Sequence, residues 1–219
     1  MTLQSKVIAK DLHHMNYTTL ASKETVEKTA EGLKARNFNP VIVASGKDAF
    51  EYIKGAIPAG ASVMNGSSTT LEQIGFVDYL KAGAHGWNNL HAAIVAEKDG
   101  AKQAELRKLS VTSDHYLGSV HALTEGGEMV IASNTGSQQP HLVFTSPNLI
   151  LVVSTQKIVP SLEAAIERLE KHVIPLEDAH MMKKYGSGTK RNKTVILHGE
   201  NPMMKRTITV VLVNEKLGF

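Results

Sequence analysis

The sequence predicts an α/β protein in three layers, with a mostly parallel sheet, helices on both faces of that sheet and a C-terminal β-hairpin. Apolar runs typical of buried strands alternate with amphipathic helical segments across residues 22–80, an order that indicates parallel pairing through right-handed crossovers. Apolar residues make up 42% of the 219 residues, which is enough for a packed core. We expect one domain over 1–219, with residues 1–20 as an N-terminal helical extension.

The first elements follow from hydrophobic spacing and capping residues. Ser22 can cap a helix whose inner face carries Val26, Ala30 and Leu33 at positions i, i+4 and i+7. Further elements are expected as a strand at 40–44, a helix after the cap Ser45, a strand at 61–64 and a helix through 71–76.

The second half contains more strands. Two short β runs flank the pair Gly126-Gly127, which predicts a hairpin. A helix opens after Pro160-Ser161. The other expected elements are mostly helical structure at 80–109, a weak strand or loop at 110–114, hairpin strands at 121–124 and 129–133, a strongly apolar strand at 149–154, and a terminal hairpin of 194–198 with 207–213.

Composition restricts the chemistry. Cysteine is absent, which excludes disulfides, cysteine-based zinc sites and an iron–sulfur cluster held by the chain's own thiolates. The net charge of +3 is too small for a dedicated nucleic-acid binder. Ten histidines are present, but the adjacent His13 and His14 and the others lack ligand spacing, so we expect no metal and no cofactor. No membrane-length apolar run or signal-peptide pattern is evident, and we expect a cytoplasmic protein.

The segment 65–70 is the strongest functional feature. A strand ends there, Gly66 permits close backbone approach, four hydroxyl residues follow, and a helix begins. The unpaired N–H groups at a helix start favour a phosphate or carboxylate. The alternative is a simple helix cap, for which one hydroxyl suffices. The candidate ligand-binding residues of this turn are Asn65, Gly66, Ser67, Ser68, Thr69 and Thr70.

Four stretches together resemble the LUD (lactate-utilisation) domain family. They are residues 66–75, 123–127, 157–160 and 213–215, and their order and spacing carry the resemblance. The family implies the scaffold shared by sugar-phosphate isomerases and coenzyme A transferases. It also includes a small subunit of lactate-oxidation systems whose partner subunits carry iron–sulfur clusters.

The resemblance adds two candidate catalytic carboxylates. Coenzyme A transferases of this scaffold use a glutamate at a strand end as nucleophile, which would be Glu125 here. A solvated turn residue beside two glycines is the simpler interpretation of Glu125 and the one we favour. Sugar-phosphate isomerases place a carboxylate base near Asp114, although Asp114 can equally cap a helix.

A second polar loop follows the predicted hairpin. Its donors and its glycine suit a small anion. Farther along, Lys190 belongs to a basic, glycine-containing stretch that is either a solvated loop or a lid over an anionic ligand. The candidate ligand-binding residues outside the first turn are therefore Asn134, Thr135, Gly136, Ser137 and Lys190. We expect the pocket to join 66–70 with 134–137 at one edge of the sheet.

The function predicted from these observations is small-anion binding. We expect a subunit or accessory protein of lactate or organic-acid utilisation, with a carboxylate or phosphate ligand, and with iron–sulfur partner subunits or a homo-oligomer as candidate assemblies. Two alternatives stay open: a stand-alone enzyme acting on a sugar phosphate or acyl-coenzyme A, and a ligand sensor. A membrane or nucleic acid is not an expected partner.

Overall fold

The computed structural model of the protein describes residues 16–219. In the predicted extension at 1–20, residues 16–20 form a turn instead of a helix. The Asn16 side chain accepts bonds from Thr18 N and Thr18 Oγ1 at 3.0 and 2.8 Å, and such local bonds compete with helix formation. The rest of the extension, with His13 and His14, lies outside the described residues.

In the part of the chain that the structure describes, helices and strands alternate strictly over residues 23–73. The helices are α1 (Lys23–Ala35), α2 (Gly46–Ala56), α3 (Thr69–Gln73), α4 (Phe76–Ala82), α5 (Leu90–Ala96), α6 (Gly100–Leu109), α7 (Leu162–Arg168) and α8 (Ile174–Tyr185). The strands are β1 (Asn39–Val43), β2 (Ser62–Asn65), β3 (Asn88–Asn89), β4 (His115–Gly118), β5 (Ala122–Thr124), β6 (Met129–Ser133), β7 (Asn148–Ser154), β8 (Ile158–Val159), β9 (Lys193–Leu197) and β10 (Thr207–Val213). Short π-helical segments occupy His141–Thr145 and Leu169–Val173.

The main sheet has six parallel strands in the order β1-β10-β7-β4-β2-β3. Its central strands β7 and β10 are almost wholly buried, as expected for a parallel sheet covered on both faces. This confirms the predicted α/β class with a mostly parallel sheet flanked by helices.

Strand β7 shows how the core is divided. Leu149, Leu151 and Val153 face one cluster, which includes apolar residues of α1, while Ile150 and Val152 face a second cluster built with α2, α3 and α4. Burying each such side chain contributes roughly 1.5–3 kcal/mol. The alternation of a single strand therefore ties both outer layers to the sheet.

A second, four-stranded sheet in the order β8-β5-β6-β9 covers part of the first cluster. The predicted hairpin is confirmed, because β5 and β6 pair in antiparallel fashion. On its other side this sheet packs against α7 and the π-helical segment that follows it, through Ala164, Ala165 and Leu169.

The predicted terminal hairpin is wrong. Strand β9 pairs antiparallel with β6 in the second sheet, whereas β10 lies parallel between β1 and β7 in the main sheet. The reason is the continuous apolar run of β10, which needs cover on both faces, whereas a half-exposed hairpin strand would alternate. Just before β10, Arg206, whose side chain is 5% exposed, donates to Ser146 O at 3.0 Å and to Glu200 at 2.8 Å.

Two local predictions also need adjustment. The weak strand or loop at 110–114 is a short 3-10 turn, and the strand β4 follows it at 115–118. The helix predicted through 71–76 is two helices. Gly75 adopts a φ of 81°, which interrupts the helical conformation between α3 and α4. Within residues 16–219, no helix has the length and apolar character needed to cross a membrane.

Candidate functional site

A cavity of about 230 Å³ lies at the carboxyl ends of β2 and β4, against the end of β6 in the second sheet. Open α/β sheets bind ligands at this edge. The cavity brings together the two loops singled out in the sequence, at 66–70 and 133–138, with side chains from α8 and the loop after it. The residues of the predicted site that line it are Gly66, Ser67, Ser68, Thr69, Thr70, Asn134, Thr135, Ser137 and Lys190.

The first turn divides its hydroxyls between two roles. Ser68 is the N-cap of α3 and accepts a bond from Leu71 N at 3.3 Å. Ser67 and Thr69 line the cavity and make no side-chain hydrogen bond to another described residue. Helix α3 has only five residues, so its dipole is small. The capping interpretation therefore holds for one hydroxyl, and the positive charge for an anion must come from side chains.

Gly66 is required because the Tyr116 hydroxyl packs closely against its Cα. A Cβ at this position would lie 2.6 Å from Tyr116 Oη. The Tyr116 ring stacks on His141 with centroids 4.4 Å apart, and burial raises the pKa of its hydroxyl. Because Tyr116 is fixed by that stacking, no larger residue fits at 66 without displacement.

The second loop is held by its own bonds and by β9. Ser133 Oγ accepts from Gly136 N at 2.8 Å, and Gly136 has a φ of 88°, where glycine is favoured. Asn134 Oδ1 accepts from Asn192 Nδ2 at 2.6 Å. Gly136 shapes the turn without lining the cavity, whereas Asn134, Thr135 and Ser137 line it.

Lys157 is the main cavity residue that the sequence patterns did not identify. It lies on the 3-10 turn directly after β7, is 3% exposed and lines the cavity. Its Nζ donates to Thr70 Oγ1 at 3.1 Å, Ser119 Oγ at 3.1 Å and Val120 O at 3.2 Å. Burial, with a smaller effect from the Arg168 charge, lowers the pKa of Lys157 to about 7.

The position of Lys157 is fixed by its neighbours. Gln156 Nε2 donates to Leu217 O and Gly218 O, each at 3.2 Å, and Ser154 Oγ donates to Glu215 O at 2.5 Å. These bonds tie the turn after β7 to the segment after β10. The turn that carries Lys157 is therefore fixed, and its amino group stays at the cavity.

His121 adds a neutral donor to the cavity wall. Its Nδ1 accepts from Ala132 N at 3.1 Å, which places the ring proton on Nε2. Burial, followed by the charges of Lys157 and Arg168, lowers the pKa of His121 to about 3. Arg168 is itself fully buried and donates from Nη1 to His121 O. At neutral pH the positive charges here belong to Arg168 and to the protonated fraction of Lys157.

Helix α8 and its following loop close the remaining wall. Glu177 is half-buried beside the cavity, and burial raises the pKa of its carboxyl. Thr189 N donates to Asp178 Oδ1 at 2.7 Å, which attaches the loop carrying exposed Lys190 to the helix. The glycine at 188 allows this contact, because a Cβ there would overlap the Asp178 carboxylate.

Besides Gly136, three predicted site residues lie outside the cavity. Asp114, at the amino end of β4, accepts from Ser62 N and Oγ at 2.8 and 2.7 Å, bonds that lower its pKa and make it a weak base. Glu125, in the β5–β6 turn, pairs with Lys28 at 2.7 Å. Asn65 is buried and donates from Nδ2 to Gly66 O at 3.1 Å. None of the three lines the cavity.

The chemistry of the cavity is thus cationic and rich in donors. It combines one buried lysine, one exposed lysine, a neutral imidazole, several hydroxyls and one half-buried carboxyl. Among residues 16–219, no three histidine, aspartate or glutamate side chains come close enough together to hold a metal ion.

The chain matches one protein-family model and is similar in fold to a solved structure. The family model described as the LUD domain matches residues 26–213. A crystal structure of a DUF162 family protein from Deinococcus radiodurans, at 1.70 Å resolution, superposes with a TM-score of 0.53. The match covers 90% of this chain and 100% of that chain at 12% sequence identity, which shows a likeness of fold. No curated protein sequence matches the chain significantly.

Proposed function

The chain belongs to the LUD domain family, and from that premise we propose that it binds a small anion, a carboxylate or a phosphate, in the cavity at the carboxyl edge of its main sheet. The family is associated with lactate utilisation. We propose a subunit or accessory protein of organic-acid utilisation. Because the chain has no cysteine, electron transfer through a thiolate-held iron–sulfur cluster would belong to partner subunits.

The observation that carries the proposal is the position of Lys157. A buried ammonium costs free energy unless it is paired, and its bonds within the chain go to neutral oxygens. An anion entering the cavity would supply the missing negative charge, with Lys190 at the rim and the free hydroxyls of Ser67 and Thr69 as further donors. Each hydrogen bond to a charged group contributes about 1.5–3 kcal/mol.

Cavity size restricts the ligand. Small-molecule pockets commonly measure about 300–1,000 Å³, so about 230 Å³ lies below that range. The cavity suits an organic acid or a short phosphate ester, whereas a whole coenzyme A molecule would extend far outside it. Asp114 and Glu125 lie outside the cavity and take no part in this binding.

Calorimetric titration tests the proposal, with L-lactate, pyruvate and inorganic phosphate as separate probes. At least one probe should bind the wild type, and Lys157→Met should weaken that binding roughly ten- to a hundredfold, since one charged hydrogen bond is lost. The matched control is Lys102→Met, which removes an exposed lysine on α6, away from the cavity. Binding by none of the probes, or equal affinity in Lys157→Met and wild type, would contradict the proposal.

A further inference from the structure

Lys157 forms no ion pair with an acidic residue in the described part of the chain, although the charge of Glu177 raises its pKa against the larger lowering effects of burial and Arg168. Within residues 16–219, none of the ion pairs includes Lys157. Its nearest polar neighbours are two hydroxyls and one carbonyl oxygen, all at 3.1–3.2 Å. A lysine kept only for structural charge would normally be paired with a carboxylate, so this arrangement points to another role.

The hydroxyl neighbours can accommodate either protonation state of the amine. When Lys157 is charged, Thr70 Oγ1 and Ser119 Oγ accept its protons. When it is neutral, either hydroxyl can donate to the nitrogen lone pair, because a hydroxyl is both donor and acceptor. A carboxylate in the same place would hold the lysine permanently charged.

The wider surroundings favour the neutral amine. Lys157 is 3% exposed, and the nearby Arg168 guanidinium is fully buried and carries a like charge. Both effects lower the pKa of Lys157, to about 7, so a large fraction of the amine is unprotonated at neutral pH. Desolvation and a neighbouring cation are the means by which proteins make a lysine nucleophilic.

We propose that Lys157 forms an imine with a carbonyl compound that carries an anionic group, such as a 2-oxo acid or a keto phosphate. This inference rests on the proposed anion site, whose residues Ser67, Thr69 and Lys190 line the same cavity and would hold the anionic group. The carbonyl end would then face the amine. A hydroxy acid or an alcohol phosphate would bind without reacting.

The reaction balances without an oxidant or reductant. The lone pair of Lys157 Nζ attacks the carbonyl carbon, a C–N bond forms as the C=O π bond breaks, the nitrogen loses one proton and the oxygen takes one up. The regained nitrogen lone pair then forms the C=N bond, while a second proton on that oxygen lets it leave as water. Overall, one neutral amine, one carbonyl compound and one proton give one protonated imine and one water. Glu177, half-buried on the cavity wall with a raised pKa, is the group we assign to these proton transfers.

Reductive trapping tests the inference on the full-length protein. Samples are incubated with pyruvate or with dihydroxyacetone phosphate and treated with sodium borohydride, and the modified lysine is located by peptide mass spectrometry. L-lactate and glycerol 3-phosphate, which lack a ketone or aldehyde group, are the ligand controls. Calorimetry on the same preparations records binding separately from trapping.

The expected result is a reduced adduct on Lys157 with at least one carbonyl probe, absent from the ligand controls and from Lys157→Met but kept in Lys102→Met. The probe that reacts distinguishes a 2-oxo acid site from a keto phosphate site. Glu177→Gln should slow trapping roughly a hundredfold while calorimetric binding persists.

Each other outcome counts against a specific claim. If a carbonyl probe binds by calorimetry but leaves no adduct on Lys157, the imine is refuted and the anion site stands. An adduct found equally in Lys157→Met also refutes the imine, because surface lysines then account for it. If no probe binds and none is trapped, both the imine and the anion site are refuted. Unchanged trapping in Glu177→Gln overturns the assignment of Glu177.

Discussion

Substituting Lys157 by methionine should change how the stability of the protein depends on pH. In the folded protein the pKa of Lys157 is lowered from 10.5 to about 7 by burial and by Arg168. The unfolded chain therefore binds a proton between pH 7 and pH 10.5 that the native protein lacks. Under linkage, stability must rise with pH over that interval.

The size of the effect follows from the two pKa values. At about 1.36 kcal/mol per pH unit, the full difference corresponds to about 5 kcal/mol. Between pH 7 and pH 9 the native amine goes from about half to almost wholly neutral, so the free energy of unfolding should rise by about 2 kcal/mol. Methionine is similar in length and does not titrate, so this contribution should vanish in Lys157→Met.

Urea unfolding at several pH values from 6 to 9 measures the effect. The quantity of interest is the difference between the wild type and Lys157→Met, since other titrating groups are common to both proteins. Lys102→Met is the control and should follow the wild type, because this side chain is exposed on α6. Parallel profiles for the wild type and Lys157→Met would refute the reasoning, because they would mean that Lys157 keeps an ordinary pKa.

Three further predictions concern the cavity and its support. Gly66→Val should abolish binding of whichever anion binds the wild type, since its Cβ would lie 2.6 Å from Tyr116 Oη. Ser67→Ala should lower the affinity roughly tenfold at most. Equal, mild losses of affinity by calorimetry would mean that the turn is only a helix cap. Arg36→Met should lower the free energy of unfolding in urea by about 2–3 kcal/mol, because the guanidinium bonds to Gly126 O, His198 O and Glu128; a change below about 0.5 kcal/mol would contradict this. With its pKa lowered to about 3, His121 should stay neutral, with its proton on Nε2, from pH 7 to pH 5. The stability of the protein should fall as pH drops below 6.5, because only the unfolded state then gains a second imidazole proton at this residue. An NMR titration midpoint near 6.5 for this imidazole would be inconsistent with the prediction.

The local elements could be predicted from sequence because their signals are local. Ser22 and Ser45 cap their helices as expected, and the spacing of Val26, Ala30 and Leu33 identifies the buried face of α1. The hairpin of β5 and β6 follows from two glycines between apolar runs. Such patterns depend on residues only a few positions apart.

Pairings between distant strands could not be predicted in the same way. The loop of 198–206 is short enough for a hairpin, yet β10 pairs with β1 and β7, far away in sequence. The unbroken apolar pattern of Ile208–Val213 was the available sign that this strand is central. An apolar run identifies a buried strand but does not specify which strands flank it, so the predicted partner was wrong.

The meeting of the two polar loops could be predicted from the sequence, whereas the charge of the cavity could not. The two polar loops at 66–70 and 133–138 line one cavity because both follow strand ends at the same side of the molecule. Lys157 was missed, since one lysine after an apolar strand is usually a surface residue. Its burial depends on Thr70 and Ser119, which lie 87 and 38 positions away along the chain.

The most direct test of anion binding in the cavity is a crystal structure of the full chain soaked with pyruvate, L-lactate or phosphate at a concentration that saturates the calorimetric signal. We predict an anion in the cavity that contacts the 66–70 turn and Lys190. Its oxygen atoms should contact Lys157 Nζ, or, for pyruvate, its carbonyl carbon should be bonded to that nitrogen as an imine. Density for the same anion at another surface, with Lys157 still bonded to Thr70, Ser119 and Val120 and only water beside it, would contradict the account.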